Sequence, residues 1–178
     1  MKIYLARHGQ TNYNDLKLCN ADPTVDVHLT DLGLNQSKNL AEQLKDIPIE
    51  IIYISELRRT KQTAEIVNKY HQIEINVDPR LNDNRTGFEG KLIQDYLDAL
   101  NHTANAWTVR LNGGESLEDV VKRAQSFLDY LKKTEYKTVL IVSSQVIIQY
   151  IDGIVKQVPN VVAYSLDIEK GSYIKLEL

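Results

Sequence analysis

Apolar residues along this chain follow two rhythms. Short unbroken runs at Ile3 to Ala6, Ile49 to Ile54 and Val139 to Val142 are bounded by polar turns, while longer stretches place apolar residues every three or four positions. The first pattern predicts strands buried on both faces, and the second predicts amphipathic helices. Thr30 is placed to cap a helix carrying Leu32, Leu40, Ala41 and Leu44 that stops before Pro48. A second helix holds Ala64, Ile66, Val67 and Tyr70, and a short strand around Ile73 to Val77 follows. The clearest stripe is Leu117, Val120, Val121, Ala124, Phe127, Leu128 and Leu131, with Ser116 and Asp119 as a capping pair.

Val146 to Val155 predicts an apolar helix, and Ala163 to Ile168 with Tyr173 to Leu178 predicts a closing hairpin turned at Lys170-Gly171. Residues 79 to 114 are the least regular, punctuated by Pro79, Gly87, Gly90 and Gly113-Gly114, with a helix around Leu92 to Leu100. Alternation of strand and helix predicts an α/β three-layer sandwich: a mostly parallel central sheet with helices on both faces, formed by residues 1–178 as a single domain.

Composition narrows the function. With 178 residues, 43% of them hydrophobic, the chain can bury a core without metal or disulfide staples. A net charge of −3, with basic and acidic residues interspersed, argues against a nucleic-acid partner. Cys19 is the only cysteine, so neither a disulfide framework nor a paired-cysteine metal site is available. The apolar run before Arg7 is too short for a signal peptide, and no later run reaches the length of a membrane span; a cytoplasmic location is the expectation. No HExxH, clustered His/Asp or GxxxxGK[ST] pattern occurs, so neither a metal nor a cofactor is expected.

In open α/β sheets, ligands bind beyond the carboxyl ends of the strands. Three such places are rich in polar groups: Arg7-His8-Gly9-Gln10-Thr11, Ser55 to Arg59, and Ser143-Ser144-Gln145. A lone histidine after a strand is more often a solvated or hydrogen-bonded loop residue than a catalyst, so His8 gains weight only from its company.

That company resembles the histidine phosphatase superfamily, which includes phosphoglycerate mutases and many small phosphatases. Arg7-His8-Gly9-Gln10-Thr11-Asn12-Tyr13-Asn14 is similar to its Arg-His-Gly-x-Thr-x-x-Asn signature. Ser55-Glu56-Leu57-Arg58-Arg59-Thr60-Lys61-Gln62-Thr63-Ala64 is similar to its Ser-x-Leu-x-Arg-Ala-x-Gln-Thr-Ala block. Leu29-Thr30-Asp31-Leu32-Gly33 and Gly113-Gly114-Glu115-Ser116-Leu117 resemble two further stretches. The resemblance implies a phosphoglycerate mutase-like fold and a phosphohistidine formed on His8, with Arg7 and Arg59 holding the phosphoryl oxygens and Asn14, Gly9 and Gln10 around them. Imidazole can attack phosphorus and divide one hard transfer into two easier ones, and guanidinium forks match phosphate in shape and charge. Arg58 reads as a solvated neighbour of Arg59.

The resemblance also implies a carboxyl general acid near Leu81-Asn82-Asp83. Counting from Leu81 selects Asp83, with Glu89 second, although an aspartate there equally suits an Asx turn. Arg85 either adds a third cation or pairs with Asp83. The family's second catalytic histidine is replaced: Ser144 stands in Val142-Ser143-Ser144-Gln145, and no histidine follows His102. His28, His71 and His102 read as surface or loop residues.

Loss of one oxyanion donor costs about 10²- to 10³-fold in turnover, roughly 3 to 4 kcal/mol, while phosphate binding survives. The Gln145 amide is a partial substitute. The implied function is a metal-independent phosphomonoesterase acting on a small phosphorylated metabolite. The alternatives are a mutase-type phosphotransferase, for which residues 91 to 112 offer little cover, and a catalytically weak protein that binds a phosphorylated ligand or inorganic phosphate. Asn101, His102, Trp107 and Arg110 are candidates for the mouth of the site, with Trp107 equally suited to the core. Oligomeric state is open.

Overall fold

The computed structural model describes residues 1–178. Five strands form one sheet: β1 (Lys2–Arg7), β2 (Ile51–Ile54), β3 (Ile75–Val77), β4 (Thr138–Ser143) and β5 (Tyr173–Glu177), in the order β3-β2-β4-β1-β5. The first four are parallel to their neighbours, and β5 closes one edge antiparallel to β1. The helices are α1 (Asn12–Leu16), α2 (Asp31–Leu44), α3 (Arg58–Val67), α4 (Ile93–Asn101), α5 (Leu117–Leu131), α6 (Gln145–Lys156) and α7 (Asn160–Ala163).

Side chains alternate across the sheet, so each strand feeds two cores. Ile3, Leu5, Ile51, Tyr53, Val139 and Ile141 pack with α5 and α6 on one face. Tyr4, Ala6, Ile52, Ile54, Leu140 and Val142 pack with α2 and α3 on the other. Burial on both faces is why these strands read as continuous apolar runs rather than alternating ones. The three-layer, mostly parallel architecture expected from the sequence is the one observed.

Local signals held where side chains meet the backbone. Thr30 caps α2 through Gly33 N–H, and Ser116 with Asp119 forms a reciprocal capping box at α5. Two apolar positions were misplaced: Leu32 and Tyr70 are 53% and 52% exposed, Tyr70 lying beyond the end of α3. Trp107 packs on the α5–α6 side of the core, its ring edge-on to Tyr150 at 5.9 Å.

The closing hairpin is half correct. A turn occurs at Lys170-Gly171 and β5 follows, but 163–168 is no strand, and α7 precedes it. The carbonyls of this segment are taken by side chains: Gln149 Nε2 donates to Tyr164 O at 2.8 Å and Leu166 O at 2.6 Å, and Arg7 donates to Ile168 O. Backbone groups satisfied in that way need no ladder partner. No helix is long and apolar enough to cross a membrane.

Candidate active site

Beyond the carboxyl ends of β1, β2 and β4 lies a cavity of about 390 Å³. Its floor is made by two loops that run side by side. Arg7 and Ser143 are the last register pair of β1 and β4, so His8 and Ser144 occupy equivalent positions one residue further on. His8 N–H donates to Ser143 O at 3.1 Å, which ties the two loops together.

The β1 loop is pressed against α2. A Cβ on Gly9 would stand 2.3 Å from Gly33 O, and one on Gly33 would stand 2.0 Å from Gln10 O. Only a glycine pair permits this approach, which accounts for Gly33 in an otherwise ordinary helix. Thr11 then starts α1 in a capping box with Asn14: Asn14 N–H donates to Thr11 Oγ1, and Thr11 N–H to Asn14 Oδ1, both at 3.1 Å. With its oxygen engaged, Asn14 can offer the cavity its amide N–H.

His8 is 4% exposed. Its Nδ1 lies 2.7 Å from Gly9 O, which can only accept, so Nδ1 carries the proton. Nε2 accepts from Arg59 Nε–H at 3.1 Å. Burial first, and then Arg59, hold the imidazole well below its ordinary pKa of 6.5. The ring is therefore neutral, with its lone pair on Nε2 in the cavity.

Arg59 follows from how β2 turns into α3. Ser55 Oγ bonds Thr60 Oγ1 at 2.8 Å and accepts Leu57 N–H, closing the turn so that the second residue of α3 faces inward. The Arg59 guanidinium donates to Asn20 Oδ1 at 2.8 Å, Asn20 O at 3.0 Å and Asp83 Oδ2 at 3.0 Å. Burial lowers the pKa of Arg59, and Asp83 opposes that shift. Arg58 points away to Asp26. Arg7 also lines the cavity; its pKa is lowered by burial, and its Nε has no partner.

Ser144 is the N-cap of α6 and 3% exposed, yet its Oγ makes no hydrogen bond. A buried hydroxyl left unpaired in a cavity that two guanidiniums also line is a group available to a ligand. Gln145, Val146 and Gln149 of α6 extend this wall, and Ile93, Tyr96 and Leu97 of α4 face the cavity along with Tyr13 and Tyr164.

The structure thus brings Arg7, His8, Asn14, Arg59, Asp83, Ser144 and Gln145 to one cavity. It separates others from it. Gly9 supports His8 from behind; Gln10 bonds Asp15 and Thr30 instead of lining the cavity. Arg85 is exposed on the outer side and does not pair with Asp83, whose carboxylate is held by Arg59. Glu89 spends both oxygens on Ala21 N–H, at 3.0 and 2.9 Å, away from the cavity. Asn101, His102 and Arg110 do not reach the mouth, and Arg110 is bound to Asp119. Asn20, Tyr13, Gln149 and Tyr164 were missed. Tyr13 stands at an unspecified position of the first motif, and Gln149 and Tyr164 in segments read only as secondary structure; no local pattern marked any of the four as a site residue, and only the fold juxtaposes them.

A neutral buried imidazole thus shares a cavity at the strand ends with two guanidiniums. Residues 3–178 match the histidine phosphatase superfamily (branch 1), and the chain belongs to that family. It is 32% identical over 153 residues to the probable phosphoglycerate mutase GpmB of Proteus mirabilis, an alignment spanning 80% of this chain and 69% of that one. It is 28% identical over 153 residues to phosphoserine phosphatase 1 of Hydrogenobacter thermophilus, covering 82% and 72%. The crystal structure of the alpha-ribazole phosphatase from Shigella flexneri superposes with a TM-score of 0.89 at 26% identity, covering 100% of this chain and 91% of that one. Relatives thus include both phosphatases and mutase-type proteins.

Proposed function

We propose that the protein is a phosphomonoester hydrolase that forms a phosphohistidine at His8. The observation that carries the reading is the tautomer of His8: Nδ1–H is anchored on Gly9 O, and the basic Nε2 is turned into a cavity that also holds Arg7 and Arg59. In the first step the incoming phosphate draws the Arg59 Nε–H off Nε2, whose freed lone pair attacks phosphorus as the ester P–O bond breaks. Arg7, Arg59, the Asn14 amide and Ser144 Oγ are the donors for the three phosphoryl oxygens.

Asp83 is the candidate acid for the departing alkoxide. Without substrate it accepts from Arg59. Phosphate would draw Arg59's donors to itself, releasing the Asp83 carboxyl to face the ester oxygen. Water then attacks the phosphohistidine, passing a proton to the Asp83 carboxylate as the N–P bond breaks, which releases phosphate, restores neutral His8 and returns Asp83 to its acid form. Transfer to a second substrate instead of water would be the mutase-type reaction. A weak phosphate-binding homologue is the second reading, favoured by Ser144 where the family carries a histidine.

The test is to trap the intermediate. Incubation with a ³²P-labelled phosphomonoester followed by rapid quenching should leave acid-labile, base-stable label on the wild-type chain and none on His8→Ala. Absence of label, combined with no phosphate release from a generic aryl phosphate, would leave only the binding reading.

A further inference from the structure

All charge in the cavity sits at one end. Arg7, His8, Arg59 and Asp83 account for its cationic, imidazole and carboxylate groups, and the rest of the lining is neutral. Once Arg7 and Arg59 are engaged by one phosphate, no other cation lines the cavity to meet a carboxylate or a second phosphate on the same substrate; Lys170, outside the lining, acts on His8 and Arg7 at the same phosphoryl end. The neutral lining includes a wall of apolar and aromatic surface from Ile93, Leu97, Tyr96 and Tyr164.

Gln149 lies in that wall and is 3% exposed. Its Nε2 donates to the carbonyls of Tyr164 and Leu166, two groups that can only accept, which settles the orientation of the amide. Its Oε1 is buried and has no partner. An unpaired buried acceptor favours a ligand that brings a donor and penalises one that brings an anion. Gln149 lies five residues beyond Ser144 on the same helix, a rise of about 7.5 Å, which separates it from the phosphoryl end by several bonds of leaving group.

We propose that Gln149 selects the leaving group. The site takes monoesters of uncharged alcohols that carry a hydroxyl or N–H donor beside an apolar face, and it discriminates against esters bearing a carboxylate or a second phosphate. This rests on the phosphomonoester reading of the floor and assigns the specificity that reading leaves open.

Calorimetric titration of the full chain with inorganic phosphate, phenyl phosphate, uridine 5′-monophosphate and 3-phosphoglycerate tests it. Uridine monophosphate should bind at least about tenfold more tightly than phosphate, and 3-phosphoglycerate no more tightly than phosphate. Gln149→Met should remove the nucleotide's advantage while leaving phosphate and phenyl phosphate within about twofold. Gln149→Glu, which keeps an acceptor but loses the N–H groups that hold 164–166, should retain the advantage. If 3-phosphoglycerate binds best, or both variants weaken every ligand alike, the proposal is overturned while the phosphate site stands. If inorganic phosphate itself fails to bind, the reading of the floor falls and the proposal with it.

Discussion

The β1 and β4 loops leave the sheet as register neighbours, yet they differ in how finished they are. The β1 loop is over-determined: His8 has a partner on each ring nitrogen, Gly9 is wedged against Gly33, and Thr11 closes a capping box. The β4 loop is tied by its first serine, Ser143 Oγ donating to Leu81 O at 2.7 Å, while Ser144 presents an unpaired hydroxyl. Positioning of His8 is thus built independently of the hydroxyl of Ser144. That separation lets the proposed phosphate site and the proposed transition-state donor be altered one at a time.

The comparison is broken most severely by finishing the β4 loop. Ser144→His should raise turnover of an aryl phosphate by about 10²- to 10³-fold, read as kcat with KM changed much less, because the donor acts chiefly on transition-state charge. An unchanged kcat would mean that Ser144 does not occupy the position of that donor.

A smaller effect tests the support of the β1 loop. Gly33→Ala forces a Cβ against Gln10 O and should cost about 1–3 kcal/mol by denaturant unfolding, with activity falling as His8 shifts. No glycine wedge of this kind stands behind Ser144, so Gln145→Ala should leave stability within about 0.5 kcal/mol.

The finest distinction is in pH. Because folding lowers the His8 pKa, the unfolded chain takes up the proton first as pH falls. Stability from this group is complete above its ordinary pKa of 6.5 and is lost progressively below it, as pH falls towards the folded value. Thermal melts from pH 7.5 downward should show wild type losing Tm more steeply below pH 6.5 than His8→Gln. Parallel curves would mean that His8 is not buried in its neutral form. Ser144 contributes no such slope, since a serine does not titrate in this range.

The sequence by itself determined the layers, the strand runs other than 163–168, the caps at Thr30 and Ser116, and the two motifs around His8 and Arg59. These are local properties: a buried strand must be apolar throughout, a helix start needs an acceptor for its free N–H groups, and a turn needs particular residues at fixed offsets. It also placed Ser144 at the end of β4. What it could not decide was which distant groups converge. Arg85 and Glu89 lie close to Asp83 in the chain but line the outer surface, because side chains alternate along this loop: Asn84 and Thr86 turn to the cavity, and Arg85 and Glu89 turn away from it. Gln149 and Tyr164 read as ordinary helix and strand residues, and they became cavity wall only because the amide of one binds the carbonyl of the other. The state of His8 was likewise decided by tertiary structure, since its neutrality comes from burial and from a guanidinium 51 residues away in the chain.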